Sequence, residues 1–257
     1  RKNFILPFGN PVSDNRFVCF DGPDDFIPEM FIGRLPVETA EQAEAAVDKI
    51  IAYENDTPQP WHKNFTFLNG GIDNFEQQLF LGQTEGLINR YVLPAPVAGK
   101  PVRVYKNTPG RLIGELRSEI LSSIDNGTLL LTFLGHAGSQ TWELMLISED
   151  LFDLQNDDRL PFIASMSCHT ARYANPDQDT FGETFLRLPE RGAVGFWGTS
   201  GWGFVFQDGV LLDKMYAALA QDSVRTLGMM TTLAKIGLWQ QWGSGLTNVS
   251  TIDQYSL

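Results

Sequence analysis

The chain has 257 residues, 43% hydrophobic and 19% charged, which is ordinary globular composition and excludes disorder as its resting state. A formal net charge of −12 excludes the basic stripe that a nucleic-acid partner would need, so no nucleic acid is expected. No apolar run approaches the length needed to span a bilayer, and two cysteines cannot build a disulfide framework.

The chain opens on Arg1-Lys2-Asn3 and not on methionine, so any targeting segment is expected upstream of residue 1. Phe4–Phe8, Arg16–Phe20 and Phe31–Leu35 read as strands. Cys19, inside the second of these, reads as a buried small hydrophobe. Thr39–Asn55 reads as a helix, because Thr39 is a favoured N-cap and Gln42 stands at capping-box spacing. Asn55-Asp56-Thr57-Pro58-Gln59-Pro60 then breaks the pattern. This is the best candidate boundary, between a small N-terminal piece, residues 1–60, and a larger sheet, residues 61–257.

From Phe65 onward strand and helix alternate. The expected strands are Phe65–Asn69, Pro101–Tyr105, Leu129–Leu134, Phe162–Ser167 and Ala193–Trp197. Helical spacing covers Glu76–Tyr91, Ile113–Ile124, Glu149–Leu154, Gly182–Leu188, Val210–Leu219 and Thr226–Trp239. This alternation is the signature of an α/β fold, a mostly parallel sheet with helices on both faces.

Two of these strands end in an unusual way. Leu129–Leu134 runs into Gly135-His136-Ala137-Gly138, and Leu160–Ser167 runs into Cys168. In open α/β sheets the functional crevice lies outside the carboxyl ends of the strands. An imidazole and a thiol delivered there together suggest a nucleophile and its proton-transfer partner. Taken singly, a cysteine is often a buried hydrophobe and a histidine a satisfied polar group. His62, His136, His169, Cys19 and Cys168 include no pair at zinc-ligand spacing, so no metal or other cofactor is expected. The carboxylate-rich stretches 21–25 and 175–179 raise a structural calcium ion, but without EF-hand spacing they read as solvated turns.

A series of short motifs in register carries a family resemblance. These are Ser13-Asp14, Asp21-Gly22, Pro28-Glu29, Ile32-Gly33-Arg34-Leu35-Pro36 and Lys49-Ile50-Ile51-Ala52-Tyr53-Glu54. Gly135-His136 with Trp142 follows, then Leu160-Pro161-Phe162-Ile163 before Cys168. Phe181-Gly182-Glu183, Gly192-Ala193-Val194 and Arg225-Thr226-Leu227-Gly228 complete the series. The chain thereby resembles the gingipain family of cysteine peptidases, whose sheet is caspase-like.

That resemblance implies a catalytic pair of His136 and Cys168, a polypeptide substrate, and hydrolysis through an acyl-enzyme. It also implies that residues 1–60 are the C-terminal part of a smaller N-terminal α/β subdomain and residues 61–257 the caspase-like catalytic subdomain, with an oxyanion site at the backbone amides of Ala137 and Cys168, in a secreted or cell-surface bacterial protein. By rough register Asp73 falls at the acid of a pocket for a basic P1 residue, although Asp73 also reads as a helix N-cap. Trp202 resembles a pocket-wall tryptophan, and packing alone would also explain it. His169 reads as structural, or as a neighbour that tunes Cys168.

Two departures from the family pattern stand out. Ala137 replaces the usual glycine after the histidine. Asn69 stands where gingipains carry a carboxylate supporting the histidine, and it reads equally as a turn residue before Gly70-Gly71. These departures keep open a catalytically silent scaffold or a secretion-associated maturation module. The oligomeric state is open.

Overall fold

The computed structural model describes residues 4–22, 24–106, 112–175 and 177–257. Its strands in chain order are β1 (Asn64–Asn69), β2 (Lys100–Tyr105) and β3 (Leu130–Leu134), then the two-residue strands β4 (Ala137–Gly138), β5 (Thr141–Trp142) and β6 (Leu146–Ile147), and finally β7 (Phe162–Met166), β8 (Gly195–Thr199) and β9 (Tyr255–Ser256). The helices are α1 (Ala40–Asn55), α2 (Asn74–Leu87), α3 (Ile113–Asp125), α4 (Phe181–Arg187), α5 (Val205–Ala220), α6 (Leu227–Trp242) and α7 (Leu246–Gln254).

Side chains on a strand alternate between the two faces of its sheet, and here both faces are apolar. Phe65 and Phe67 of β1, Leu130 and Leu134 of β3, and Phe162, Ala164 and Met166 of β7 pack with α2, α5 and α6. Leu68, Leu131, Phe133 and Ile163 face the opposite way, onto Leu116, Ile120 and Ile124 of α3 and Phe181 and Phe185 of α4. Burial on both sides is what made these strands read as continuous hydrophobic runs.

The main sheet has the order β2-β1-β3-β7-β8-β9, parallel except for β9. After β1 the chain adds β2 on one side and β3 on the other, so the order reverses between β1 and β3. In register, Asn69 of β1 pairs with Leu134, which pairs in turn with Met166. The second, small sheet is the antiparallel run β4-β5-β6, which follows β3 directly.

Three expectations for the first sixty residues fail. Among the described residues no strand precedes Asn64. Asn15–Val18 is a 3-10 turn, Phe8 and Ser13 share an isolated bridge, and residues 31–35 lack a ladder partner. Strand composition alone makes no ladder without paired hydrogen bonds, and among the described residues the backbone tie from this region to the sheet's β9 end is a single one, from the Arg34 amide to the Leu257 carbonyl. Neither β9 nor α7 was expected. The helix expected over Glu149–Leu154 is a 3-10 helix, Ser148–Asp153, and α2 passes beyond Leu87 into a wider π turn at Ile88–Val92. The N-cap at Thr39 forms as expected, with its hydroxyl accepting from the Gln42 amide at 3.2 Å.

Polar contacts tie residues 13–55 to the larger part. Buried Lys49 donates to the carbonyls of Leu186, Arg191 and Ala193, and burial pushes its ammonium down to about 8. Ser13 Oγ donates to the Asp253 carbonyl, Arg16 pairs with the Asp253 carboxylate, and the Arg34 amide donates to the Leu257 carbonyl. No helix among the described residues is long and apolar enough to cross a membrane.

Candidate active site

His136 and Cys168 each stand two residues beyond a register pair, Leu134 and Met166, on adjacent parallel strands. The sheet therefore carries both turns to one edge. His136 is partly exposed and Cys168 half-buried.

The histidine turn is organised by carboxylates. Glu76, in the first turn of α2, brings both carboxylate oxygens to 3.1 Å from His136 Nε2. The Ile72 amide donates to Glu76 Oε2 at 2.8 Å and so holds it from behind. Glu143 accepts from the His136 amide at 2.7 Å, from the Gly71 amide at 2.8 Å, and from Lys106 Nζ at 2.7 Å.

The cysteine turn is organised by neutral groups. Ser165 Oγ accepts from Trp142 Nε1 at 2.9 Å and bonds to Ser167 Oγ at 2.9 Å and Thr170 Oγ1 at 3.0 Å. Burial raises the Cys168 thiol above its ordinary value. The Gly203 amide works against that rise, and the nearby Asp208 carboxyl adds to it. Gly203 has to be glycine, because a Cβ there would stand 2.9 Å from the Ser167 backbone and from Asp208 Oδ2. Asp208 is buried, accepts from Tyr255 Oη at 2.8 Å, and is pushed by burial up to about 7. Tyr255, from β9, faces the Ser167 amide as well.

The other residues marked in the sequence are placed as follows. Asn69 does not meet His136. It is buried, its Oδ1 accepts from Thr84 at 2.8 Å, and its Nδ2 makes no hydrogen bond, so the carboxylate against the imidazole belongs to Glu76. Asp73 is the N-cap of α2, accepting from the Glu76 amide at 3.0 Å while remaining exposed. Ala137 pairs with Trp142 in the β4–β5 ladder, directly after His136. Trp202 is exposed, its amide donates to Gln254 Oε1 at 2.7 Å, and its ring lies edge-on to His169 with centroids 4.7 Å apart. His169 adopts φ 61°, and burial followed by Arg172 holds its imidazole below the usual range.

Sequence reasoning missed Glu143 altogether and saw Glu76 only as the start of a helix, three residues after the N-cap candidate Asp73. Capping-box spacing was the one signal for Glu76. Among the described residues no group of three or more His, Cys, Asp or Glu is arranged to hold a metal ion. Pro23 and Pro176, within the two acid-rich turns, lie outside the described residues, as do residues 1–3. A cavity of about 370 Å³ lies elsewhere, lined by Phe4, Phe17, Arg34, Tyr173 and Arg187, and neither His136 nor Cys168 reaches it.

A mostly parallel sheet flanked by helices, with histidine and cysteine turns on neighbouring carboxyl ends, defines an α/β protein of the caspase-like kind. The profile of peptidase family C25 matches residues 1–257, and the chain belongs to that family. Among curated relatives, Lys-gingipain of Porphyromonas gingivalis is 25% identical over 191 residues, covering 74% of this chain and 10% of the relative. Lys-gingipain W83 of the same organism is 24% identical over 204 residues, also 74% and 10%. The chain thus spans about a tenth of the length of these relatives.

Two solved structures share the fold. The Arg-specific cysteine proteinase gingipain R superposes with a TM-score of 0.79 at 19% identity, over 95% of this chain and 57% of that one. A Porphyromonas gingivalis complex of pro- and mature domains gives 0.80 at 19% identity, over 95% and 58%.

Proposed function

We propose that this chain is the catalytic portion of a cysteine endopeptidase that hydrolyses peptide bonds through an acyl-enzyme at Cys168. The observation that carries the proposal is the matched register that brings His136 and Cys168 to one sheet edge, with a carboxylate on the imidazole. Glu76 favours the tautomer with hydrogen on Nε2, which leaves Nδ1 as the nitrogen that moves protons. Because burial raises the Cys168 thiol, the resting nucleophile is a thiol that His136 deprotonates as sulfur attacks the carbonyl carbon. The imidazolium then protonates the departing amine. Imidazole next removes a proton from water, whose attack releases the acid and regenerates the thiol.

The amides of Ala137 and Cys168 are the proposed oxyanion donors. Exposed Asp73 is the proposed acid for a basic P1 side chain, with Trp202 as a pocket wall. Secretion or surface display follows from the family relationship as part of the same proposal. A silent scaffold is the second reading, favoured by Ala137, whose β-carbon stands where the family pattern has glycine after the histidine.

Intact-mass labelling of reduced protein with paired P1-Arg and P1-Leu peptidyl electrophiles tests these readings. Labelling of Cys168 that is lost in His136→Ala is expected. Folded wild-type protein that labels with neither probe refutes the peptidase and leaves the scaffold. Asp73→Asn keeps the cap and removes the charge, so it should cut the P1-Arg to P1-Leu rate ratio by about tenfold if Asp73 reads P1.

A further inference from the structure

The β1–β3 switch point is where open α/β sheets ordinarily receive a ligand, and here a side chain from the chain itself fills it. Glu143 lies between the turn after β1 and the turn after β3, with its side chain only 6% exposed. Its Oε1 accepts from the His136 and Gly71 amides, and its Oε2 accepts from Gly71 and from Lys106 Nζ, just past β2. One carboxylate therefore ties together the carboxyl ends of three neighbouring strands.

The surrounding sequence is shaped to admit it. A Cβ on Gly70 would stand 2.2 Å from Glu143 Oε1, and one on Gly135 would stand 2.9 Å from the same oxygen. Glu143 and Leu144 are the central residues of the β5–β6 turn, closed by the Met145 amide on the Trp142 carbonyl at 2.8 Å. Their φ values are 47° and 61°, in the left-handed region where glycine or asparagine is favoured. Two consecutive non-glycine residues there carry backbone strain, and such strain concentrates where a side chain must be delivered to a site.

The geometry points to Glu143 as a positioning residue: by anchoring the His136 amide across the switch point, it sets the reach of the imidazole toward Cys168 and the place of the adjoining Ala137 amide. This role rests on the peptidase reading proposed above. Glu143 acts on the backbone and Glu76 on the ring, so His136 is held from two directions by two carboxylates with separate duties. The tie to Lys106 keeps the buried carboxylate neutralised, as a charge withdrawn from water requires.

Steady-state turnover of a peptide substrate and alkylation of Cys168 by iodoacetamide, with melting temperatures alongside, test the role. Glu143→Ala removes every acceptor and should lower kcat about 100-fold. Glu143→Gln keeps one acceptor and should lower it about tenfold, with KM within about twofold of wild type in both. Iodoacetamide at alkaline pH, where hydroxide and not His136 supplies the thiolate, should react at the wild-type rate. If Glu143→Ala does not fold, the charge-neutral pair Glu143→Gln with Lys106→Met replaces it.

A folded Glu143→Gln protein with wild-type kcat overturns the assignment. Equal losses of kcat and iodoacetamide reactivity that track a fall in melting temperature also overturn it, by showing a merely structural role. A wild type that turns over nothing refutes the peptidase reading itself, and the wild-type arm makes that failure distinct.

Discussion

The two turns at the carboxyl edge of the sheet are built by opposite means. Around His136 the work is done by charge, with Glu76 on the ring, Glu143 on the backbone and Lys106 closing the pair. Around Cys168 it is done by hydroxyls, backbone amides and close packing, and a nearby carboxyl, Asp208, opposes thiolate formation. The contrast teaches which group carries the proton-transfer burden. A thiol held up by burial depends on its base, so the base is the part that needs rigid electrostatic support.

The largest test of that contrast is Glu76→Gln, which still accepts from Ile72 but cannot stabilise an imidazolium as an anion does. It should lower kcat/KM about 100-fold, measured with a peptide substrate. A loss below about twofold would mean that charge on the histidine side is dispensable. Next comes Gly203→Ala, whose Cβ would press on the Ser167 backbone. Displacing the nucleophile turn should cost about tenfold in turnover and slow iodoacetamide alkylation as well, unlike the Glu76 variant.

The smallest effect on turnover is expected from Asp208→Asn, and its readout is stability against pH. Asp208 has its folded value raised from 3.8 to about 7, so its contribution to stability is whole below pH 3.8 and is lost as pH rises toward 7. Denaturant melts should therefore show wild type losing on the order of a few kcal/mol relative to Asp208→Asn between about pH 4 and pH 7. The opposite slope would show that the carboxyl is ionised and favourably placed. Above pH 7 the variant should also alkylate about two- to threefold faster, because a charge near the thiol is gone.

Much of this architecture was legible in the sequence because burial on both faces writes long apolar runs, and because the turns after β3 and β7 change composition abruptly. The partners of those turns were not legible. Glu76 reaches His136 across 60 residues of sequence and Glu143 reaches Gly71 across 72, and no local spacing encodes such meetings. Asn69 reads as support because it stands where gingipains carry a carboxylate, yet its side chain faces Thr84 on α2. The N-terminal strands failed for a related reason. Phe4, Ile5, Leu6 and Phe8 have strand-like composition, but they remain largely exposed, and among the described residues their pairing stops at the isolated Phe8–Ser13 bridge. Strand identity belongs to a pair of segments, and only one of each pair was visible. β9, at two residues, is too short to leave any period.

The ties between the beginning and the end of this sequence set an order in time. Ser13 bonds to Asp253 across 240 residues, and Arg16 to the same residue across 237. During synthesis at roughly 5 to 20 residues per second, the first of these groups waits on the order of ten to fifty seconds for its partner to be made. Tyr255, which touches both Asp208 and the turn that holds Cys168, comes at the same late moment. The nucleophile's surroundings are therefore finished only after Cys168 itself is made, and a nascent chain carries its cysteine for an interval before it has a finished site.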